Sequence, residues 1–285
     1  MSIVLRAGTS ADGERCGAIC YEAFRSVAEA HGFPPDFESA ALAIKTLTLL
    51  FQAPGFYGVV AEKDGKIVGS NALDERCAVA GLGPITVDPN GQNRGVGRLL
   101  MQHMLERADE KGFAGVRLFQ SAYHGRSLSL YAKLGFVARE PLSIMNGDPI
   151  AHKIPGYTVR PMTNDDLDAC SDVCRKVHGL DRAGEVHDAL RWGRPLVVEH
   201  DGRITGYATS LGSSGHAVGE TNTEIKALVG AAPAYRGTGI FVPTRNADLF
   251  RWCLEHGLKV VFPGTIMTTG LYNEPQGGYL PSSLY

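Results

Sequence analysis

The sequence lacks any long apolar run and any excess of charge of one sign. A membrane-spanning helix needs about 20 mostly apolar residues in a row, and no such run occurs in these 285 residues. The 28 basic and 30 acidic residues leave a formal net charge of −2. We therefore expect no membrane association and no nucleic-acid partner. Because the start of the chain does not resemble a secretion signal, we expect a cytoplasmic protein.

Cysteine is too sparse for a disulfide framework and wrongly spaced for a metal site. Six cysteines in a chain of this length, without a secretion signal, are weak evidence for disulfides. A zinc site would need Cys-x-x-Cys pairs or histidines at ligand spacing. The pairs present here, Cys16 with Cys20 and Cys170 with Cys174, are four residues apart in helical patterns. We expect buried, reduced thiols and no metal.

What the sequence does contain is an internal repeat. The segment LRAGTSADGERCGAIC, residues 5–20, is similar to VRPMTNDDLDACSDVC, residues 159–174. Arg6, Thr9 and Cys16 each recur 154 residues later. Solenoid repeats have periods of about 20–50 residues, so this longer period indicates two copies of one αβ unit.

Further matching segments extend the repeat. GVVAEKDGKIVGSNAL, residues 58–73, is similar to LVVEHDGRITGYATSL, residues 196–211, and each contains an Asp-Gly pair that predicts a β-hairpin. Shorter matches continue the alignment to the end of each copy. They pair Pro89 and Gly95 with Pro233 and Gly239, and Leu130-Tyr131 with Leu271-Tyr272.

The repeat divides the chain into two domains. We predict an N-terminal domain over residues 1–146, a linker over residues 147–155 and a C-terminal domain over residues 156–285. The linker lies in NGDPIAHKIPGY, where glycine and proline interrupt a polar stretch. Strands and helices alternate in both copies, which predicts an α/β (α+β) fold with a mixed, mostly antiparallel sheet flanked by helices in each.

A glycine-rich turn in the first copy predicts an anion-binding site. The segment VDPNGQNRGVGRLLMQHML, residues 87–105, predicts a strand end, a loop and an amphipathic helix. Gly95 and Gly97 weaken that helix by about 1 kcal/mol each relative to alanine. They also remove the Cβ atoms that would hold a phosphate away from the helix amides. Arg94 and Arg98 can add positive charge.

The spacing of this turn distinguishes between phosphate-binding families. A P-loop would have Lys-Ser/Thr after the glycines, where this chain has Arg-Leu. A Rossmann motif would have a small residue where this chain has Leu100. The pattern Gln92-x-x-Gly95-x-Gly97 instead resembles the Q/R-x-x-G-x-G/A signature of GNAT-type N-acetyltransferases. ITVDP before it and SLSLYAKLGFVARE after it resemble that family's fourth strand and its closing helix and strand, so the resemblance covers most of residues 1–145.

The resemblance implies acetyl-CoA as co-substrate, with its pyrophosphate over the glycine turn. The backbone of Ile85 and Val87 would bind the acetyl carbonyl and the pantetheine arm, and the Ile85 N–H would polarise that carbonyl. Tyr131 would protonate the departing thiolate; the alternative is that Tyr131 is a packing residue. The implied cofactor-binding residues are Ile85, Val87, Gln92, Asn93, Arg94, Gly95, Val96, Gly97, Arg98 and Tyr131.

The implied reaction is direct transfer of an acetyl group to a primary amine, most simply that of a small molecule. Many members of the family have Asn seven residues before the tyrosine, where this chain has His124. No carboxylate lies on the predicted strand 82–87. Asp74 and Glu75, at the end of the preceding strand, are the nearest candidates for the general base, and each is equally explained as a solvated strand-end charge.

The second copy departs from the glycine motif. Arg236, Gly239 and Phe241 align with motif positions 92, 95 and 97, so a phenylalanine side chain would fill the space of a pyrophosphate. We expect a degenerate GNAT domain that completes the core, shapes the acceptor site or binds a partner. Its aromatic tail, residues 279–285, is expected to form a final strand, with packing against the first copy as the alternative.

The rival functions are a non-catalytic acyl-CoA sensor or scaffold, and a transferase of a longer acyl group. A small-molecule amine is the expected partner, and the chain is expected to be a monomer or a homodimer.

Overall fold

The computed structural model describes residues 3–92 and 94–284, whose strands form a nine-stranded and a five-stranded sheet. The strands are β1 (Val4–Ala7), β2 (Phe56–Lys63), β3 (Lys66–Asp74), β4 (Val79–Leu82), β5 (Thr86–Val87), β6 (Gly115–Ser121), β7 (Val137–Asn146), β8 (Tyr157–Pro161), β9 (Leu196–His200), β10 (Arg203–Ala208), β11 (Ala217–Gly219), β12 (Ile240–Pro243), β13 (Lys259–Gly270) and β14 (Gly278–Leu280). The helices are α1 (Gly13–Ala30), α2 (Ala40–Gln52), α3 (Val96–Glu110), α4 (Gly125–Lys133), α5 (Leu167–His178), α6 (Ala183–Trp192), α7 (Asn222–Ala231) and α8 (Ala247–Glu255).

The predicted repeat is confirmed in its N-terminal part by two matching salt-bridge clusters. Arg6 on β1 contacts Asp12 and Glu62 at 2.7 Å each. Arg160 on β8 makes the same two contacts, also at 2.7 Å, with Asp166 and Glu199. Both Asp-Gly pairs form the predicted hairpin turns, since the Asp and the Gly have positive φ in each copy, as a type I′ turn requires.

The larger sheet contains strands from both predicted domains. Its order is β1-β2-β3-β4-β6-β13-β7-β12, with β5 paired to β3. Strand β13 pairs with β6 on one side and with β7 on the other, both antiparallel, and β12 pairs with the outer side of β7. Residues 1–146 therefore depend on strands from residues 156–285 to complete their sheet.

The shorter repeat matches are wrong. Gly239 and Phe241 lie at the start of strand β12, whereas the prediction required a helix start. Tyr272 follows strand β13, whereas Tyr131 lies on helix α4. Glycine and proline mark turns before strands as readily as before helices, so these matches aligned unrelated turns. The helix that follows β11 in the second copy is α7.

The C-terminal tail forms a final strand and also packs against the first copy. Strand β14 pairs with β11 at the edge of the smaller sheet, with Tyr279 opposite Val218. The chain then returns to the first copy, where the carbonyl of Leu284 lies so close to Gly81 on β4 that a side chain there would collide with it.

The predicted strand over residues 82–87 is interrupted. Strand β4 pairs in parallel with β6 only over residues 79–81, and after three residues outside any strand the short strand β5 pairs with β3. Gly83, Pro84 and Ile85 lie between them. The sheet therefore opens between β5 and the end of β6. The helix predicted to follow is confirmed as α3.

Two other expectations concern the chain as a whole. Of the helices that the structure describes, none is long and apolar enough to cross a membrane. Cys16, Cys20, Cys170, Cys174 and Cys253 are buried free thiols, and Cys77 is a partly buried one.

The pairing of β13 with β6 and β7 predicts that fragments of the chain fold only when both halves are present. Residues 1–146 expressed alone should show no cooperative thermal transition by circular dichroism, because removal of β13 leaves the edges of β6 and β7 unpaired. Residues 1–148 and 149–285 expressed together should co-purify and melt in one transition, because the cut falls in an exposed segment. Cooperative melting of residues 1–146 alone would contradict the shared sheet.

Candidate active site

A cavity of about 740 Å³ lies where the sheet opens between β5 and β6. Both halves of the chain line it. The first half contributes parts of α1, α2 and the segment between them, residues 82–87, the start of α3, the end of β6 and the start of α4. The second half contributes Ser213, Ser214, Gly237, Thr238, Phe241, Ser283 and Leu284.

The start of α3 presents bare backbone to this cavity. Gly95 precedes the helix with φ +84° and no side-chain cap, a conformation that glycine adopts without strain. Gly97 has no such constraint. A Cβ on Gly97 would lie 3.7 Å from the side chains of Leu130 and Val87, which is ordinary van der Waals contact. Packing therefore does not require glycine at position 97, and the open amides of the first turn fit an anionic ligand.

Positive charge surrounds this turn. Arg98 and Arg126 line the cavity, and with Lys133 they also line an adjoining surface pocket of about 530 Å³. Arg94, by contrast, is exposed and does not line the cavity. The arrangement of a helix N-terminus beside two arginines favours phosphate groups.

The structure brings most of the predicted cofactor-binding residues together. Asn93 lies outside the described residues. Gln92 lines the cavity, but its side chain donates a hydrogen bond to the Val87 carbonyl at 3.3 Å, which ties the loop to the strand end. The predicted residues that line the cavity are Ile85, Val87, Gln92, Gly95, Val96, Gly97, Arg98 and Tyr131.

Tyr131 on α4 both packs and lines the cavity. Its side chain is 7% exposed, and its ring centroid lies 6.1 Å from that of Phe136. Burial holds the pKa of Tyr131 well above its usual value. The phenol is therefore protonated at neutral pH and can donate its hydrogen.

Asp74 and Glu75 are placed away from the cavity. Asp74 is buried and contacts Arg76 at 2.6 Å, and Arg76 also contacts Asp188 of α6 at 2.8 Å. Glu75 is paired with Arg107 through two hydrogen bonds. Neither carboxylate lines the cavity. Their arginine partners give both a structural role, which argues against proton transfer in the cavity.

Asp36 is a cavity carboxylate that sequence reasoning missed. It lies between α1 and α2 and lines the cavity. Burial raises the pKa of Asp36 to about 6, and no salt bridge joins Asp36 to another residue of the described chain. The sequence around it, FPPDFES, has no motif spacing. Its place near the cavity follows from the packing of α1 against α2.

His124 and Tyr123 lie beside the start of α4. The carbonyl of His124 accepts hydrogen bonds from Ser127 Oγ at 2.9 Å and Gln120 Nε2 at 3.1 Å. Burial, then the charge of Arg126, lowers the pKa of His124, so its ring is neutral at pH 7. Burial, then the nearby Asp36, raises the pKa of Tyr123 to about 12.

The corresponding helix of the second copy is closed by its own side chains. Thr221 precedes α7, and its backbone N–H donates to Glu224 at 2.9 Å while its hydroxyl accepts from the Thr223 N–H at 3.1 Å. The first amides of α7 are thus already capped. Phe241 was predicted to block a second pyrophosphate site. It lies instead on β12, 4.6 Å from the Phe119 ring between centroids, and lines the first cavity.

Part of the chain is similar to a described protein family. Residues 18–136 match the model of the acetyltransferase (GNAT) family. [Ribosomal protein bS18]-alanine N-acetyltransferase of Escherichia coli K12 is 38% identical over 64 residues, which are 22% of this chain and 40% of that protein. Mycothiol acetyltransferase of Nocardia farcinica is 38% identical over 63 residues, 22% of this chain and 21% of that protein. The chain therefore spans less than half the length of these relatives.

Solved structures match almost the whole chain. A putative acetyltransferase from Pyrococcus horikoshii covers 97% of this chain with a TM-score of 0.74 and 17% identity, over 91% of its own length. A tandem GNAT protein from the clavulanic acid biosynthesis pathway covers 94% with a TM-score of 0.55 and 15% identity, over 98% of its length. At such identities the likeness concerns the fold, which is that of a tandem GNAT protein.

The glycine turn yields the first prediction about ligand binding. Gly97→Ala should keep or slightly raise the melting temperature, because alanine favours a helix by about 1 kcal/mol over glycine. The same substitution should weaken coenzyme A binding at least tenfold in a calorimetric titration, because its methyl group covers the open amides. Glu106→Ala, on the exposed face of α3, is the matched control and should leave affinity unchanged. Equal affinity of Gly97→Ala and the unaltered protein would contradict phosphate binding by the open amides at the start of α3.

Asp36 yields a prediction about stability and pH. Its pKa is about 3.8 in the unfolded chain and about 6 in the folded chain, so stability falls as the pH rises from about 4 to about 6 and stays lower above that range. Asp36→Asn should raise the free energy of unfolding by about 3 kcal/mol at pH 8 and by about 1 kcal/mol at pH 4.5. Urea denaturation at the two pH values measures this difference. Glu38→Gln, a change at an exposed neighbour, is the control, and equal gains at both pH values would refute the assignment.

Proposed function

We propose that this chain, whose residues 18–136 match the model of the acetyltransferase (GNAT) family, transfers an acetyl group from acetyl-CoA to an amine. The observation that carries the proposal is the start of α3. There, a glycine that packing does not require leaves helix amides open beside Arg98 and Arg126.

The position of this turn determines how acetyl-CoA lies in the cavity. The amides and the positive end of the α3 dipole bind the pyrophosphate. Arg98, Arg126 and Lys133 attract the remaining phosphate charge. The backbone at Ile85 and Val87, where the sheet is open, lies along the path of the pantetheine arm, and the Ile85 N–H polarises the acetyl carbonyl. Acetyl-CoA supplies the acyl group as an activated thioester.

Proton transfer is assigned to Asp36 and Tyr131. With a pKa of about 6, Asp36 is mostly ionised at pH 7 and accepts a proton from the incoming ammonium. The free amine attacks the acetyl carbon, so that a C–N bond forms as the C–S bond breaks. Tyr131 donates its hydrogen to the departing sulfur and recovers a proton from the nitrogen. The products are an amide and the free thiol.

The second half acts as a structural partner in this scheme. It closes the larger sheet with β13 and forms part of the cavity wall through Phe241 and Leu284. Because Thr221 and Glu224 cap α7, we assign one cofactor site to each chain, in the first half. Residues 156–285 then form a GNAT-like unit without a cofactor of its own.

Substitution of Tyr131 tests the transfer reaction. Tyr131→Phe should lower kcat about 100-fold through loss of the general acid, with little change in acetyl-CoA affinity by calorimetry. Tyr157→Phe, which lies outside the cavity, should change neither quantity. A parallel loss of affinity in Tyr131→Phe would instead indicate a packing role.

The stoichiometry of binding tests the assignment of the site. One acetyl-CoA per chain, abolished by Gly97→Phe, supports a single site in the first half. Two sites would refute the assignment of one site per chain. Binding of acetyl-CoA without release of free coenzyme A thiol in the presence of any amine tested would favour an acyl-CoA sensor.

A further inference from the structure

One wall of the cavity is apolar and largely aromatic. It is built by α1, α2, the end of β6 and the second half of the chain. The rings lie against one another, with centroids 6.2 Å apart for Phe24 and Phe37 and 4.6 Å apart for Phe119 and Phe241. The apolar side chains of this wall are Phe24, Val27, Phe37, Leu42, Leu50, Phe119, Tyr123, Phe241 and Leu284.

A single carboxylate interrupts this apolar wall. Asp36 is the one acid among the described residues that line the cavity. Its neighbours include the phenol of Tyr123, whose pKa Asp36 helps to raise. Removing a carboxylate from water without a cation costs free energy. A ligand with an ammonium group would offset that cost.

The described cavity lining contains two arginines. Arg98 and Arg126 lie at the starts of α3 and α4, where we assign the phosphates. The polar groups on the apolar wall and its rim are neutral hydroxyls. They are Thr46, Ser121, Ser213, Ser214, Thr238 and Ser283.

We propose that the acceptor is an aromatic primary amine with one positive charge and no carboxylate, whose ammonium group pairs with Asp36 while its ring packs against Phe119 and Phe241. This inference rests on the proposed transferase function and names the substrate class of that site. It makes the second half of the chain part of the acceptor site through Phe241.

Three other classes of ligand would leave a charge in the cavity repelled or unpaired. An amino acid would bring its carboxylate towards Asp36, where like charges repel. No lysine or arginine is among the causes of the shifted pKa of Asp36, which are burial and a backbone hydrogen bond. A polyamine would place a second ammonium among apolar side chains without a counter-charge. A longer acyl chain would cover Asp36 with hydrocarbon and leave its charge unpaired.

A set of matched ligands tests the proposal without relying on turnover. Calorimetric titrations into the protein saturated with coenzyme A would compare 2-phenylethylamine, L-phenylalanine, 2-phenylethanol and putrescine. The amine should bind at least tenfold more tightly than each of the others. L-Phenylalanine adds only a carboxylate, 2-phenylethanol removes only the charge, and putrescine replaces the ring by a second ammonium.

Two variants assign the preference to residues. Asp36→Asn should weaken the binding of 2-phenylethylamine at least tenfold and leave the binding of 2-phenylethanol nearly unchanged. Phe241→Ala should weaken both, because both contain the ring. Glu38→Gln should alter neither. Circular dichroism would confirm that each variant is folded, and the comparison of ligands in the unaltered protein needs no variant.

The outcomes separate this inference from the proposed function. Tighter binding of L-phenylalanine or putrescine, or no binding of any ligand, would overturn the assigned class. Acetylation of amino acids or polyamines in preference to 2-phenylethylamine would do the same while leaving the transferase function intact. Selective binding of 2-phenylethylamine without any acetyl transfer would support the ligand class and remove the transferase function.

Discussion

The insertion of β13 between β6 and β7 is the contact on which the rest of the structure depends. A strand of the second half pairs through its backbone with two strands of the first, so the halves share one hydrogen-bonded sheet. That pairing carries β12 to the outer side of β7 and brings Phe241 to the cavity. The position of Phe241 in the apolar wall of the cavity is therefore set by backbone pairing.

Sequence reasoning succeeded where a local conformation demands a particular residue. The Asp-Gly hairpins and Gly95 need positive φ, and Arg6 with Thr9 defines a short-range cluster that recurs in the second copy. It failed where the outcome depends on residues far apart in the chain. Nothing in the local pattern of residues 259–270 reveals which strands they pair with, and the spacing that aligned Gly239 with Gly95 could not distinguish a turn before a strand from one before a helix.

The three carboxylates considered as proton acceptors show why residue type alone does not assign a role. Asp74 and Glu75 are each held by an arginine, and their charges serve the contact between β3, α3 and α6. Asp36 has a partly buried position on an apolar wall. This burial raises the pKa of Asp36 to about 6. The difference arises from neighbours that become adjacent only on folding, so it was inaccessible to a motif search.

The order of strands also has a consequence for synthesis on the ribosome. The first half is complete up to β7 when residue 146 emerges, yet its sheet must wait for β13, which ends at residue 270. At about 5–20 residues per second, this interval is on the order of 10 s. Throughout it, facing edges of β6 and β7 and the apolar side chains beside them are open to other chains. The nascent protein is thus expected to depend on chaperones until its last strands are made.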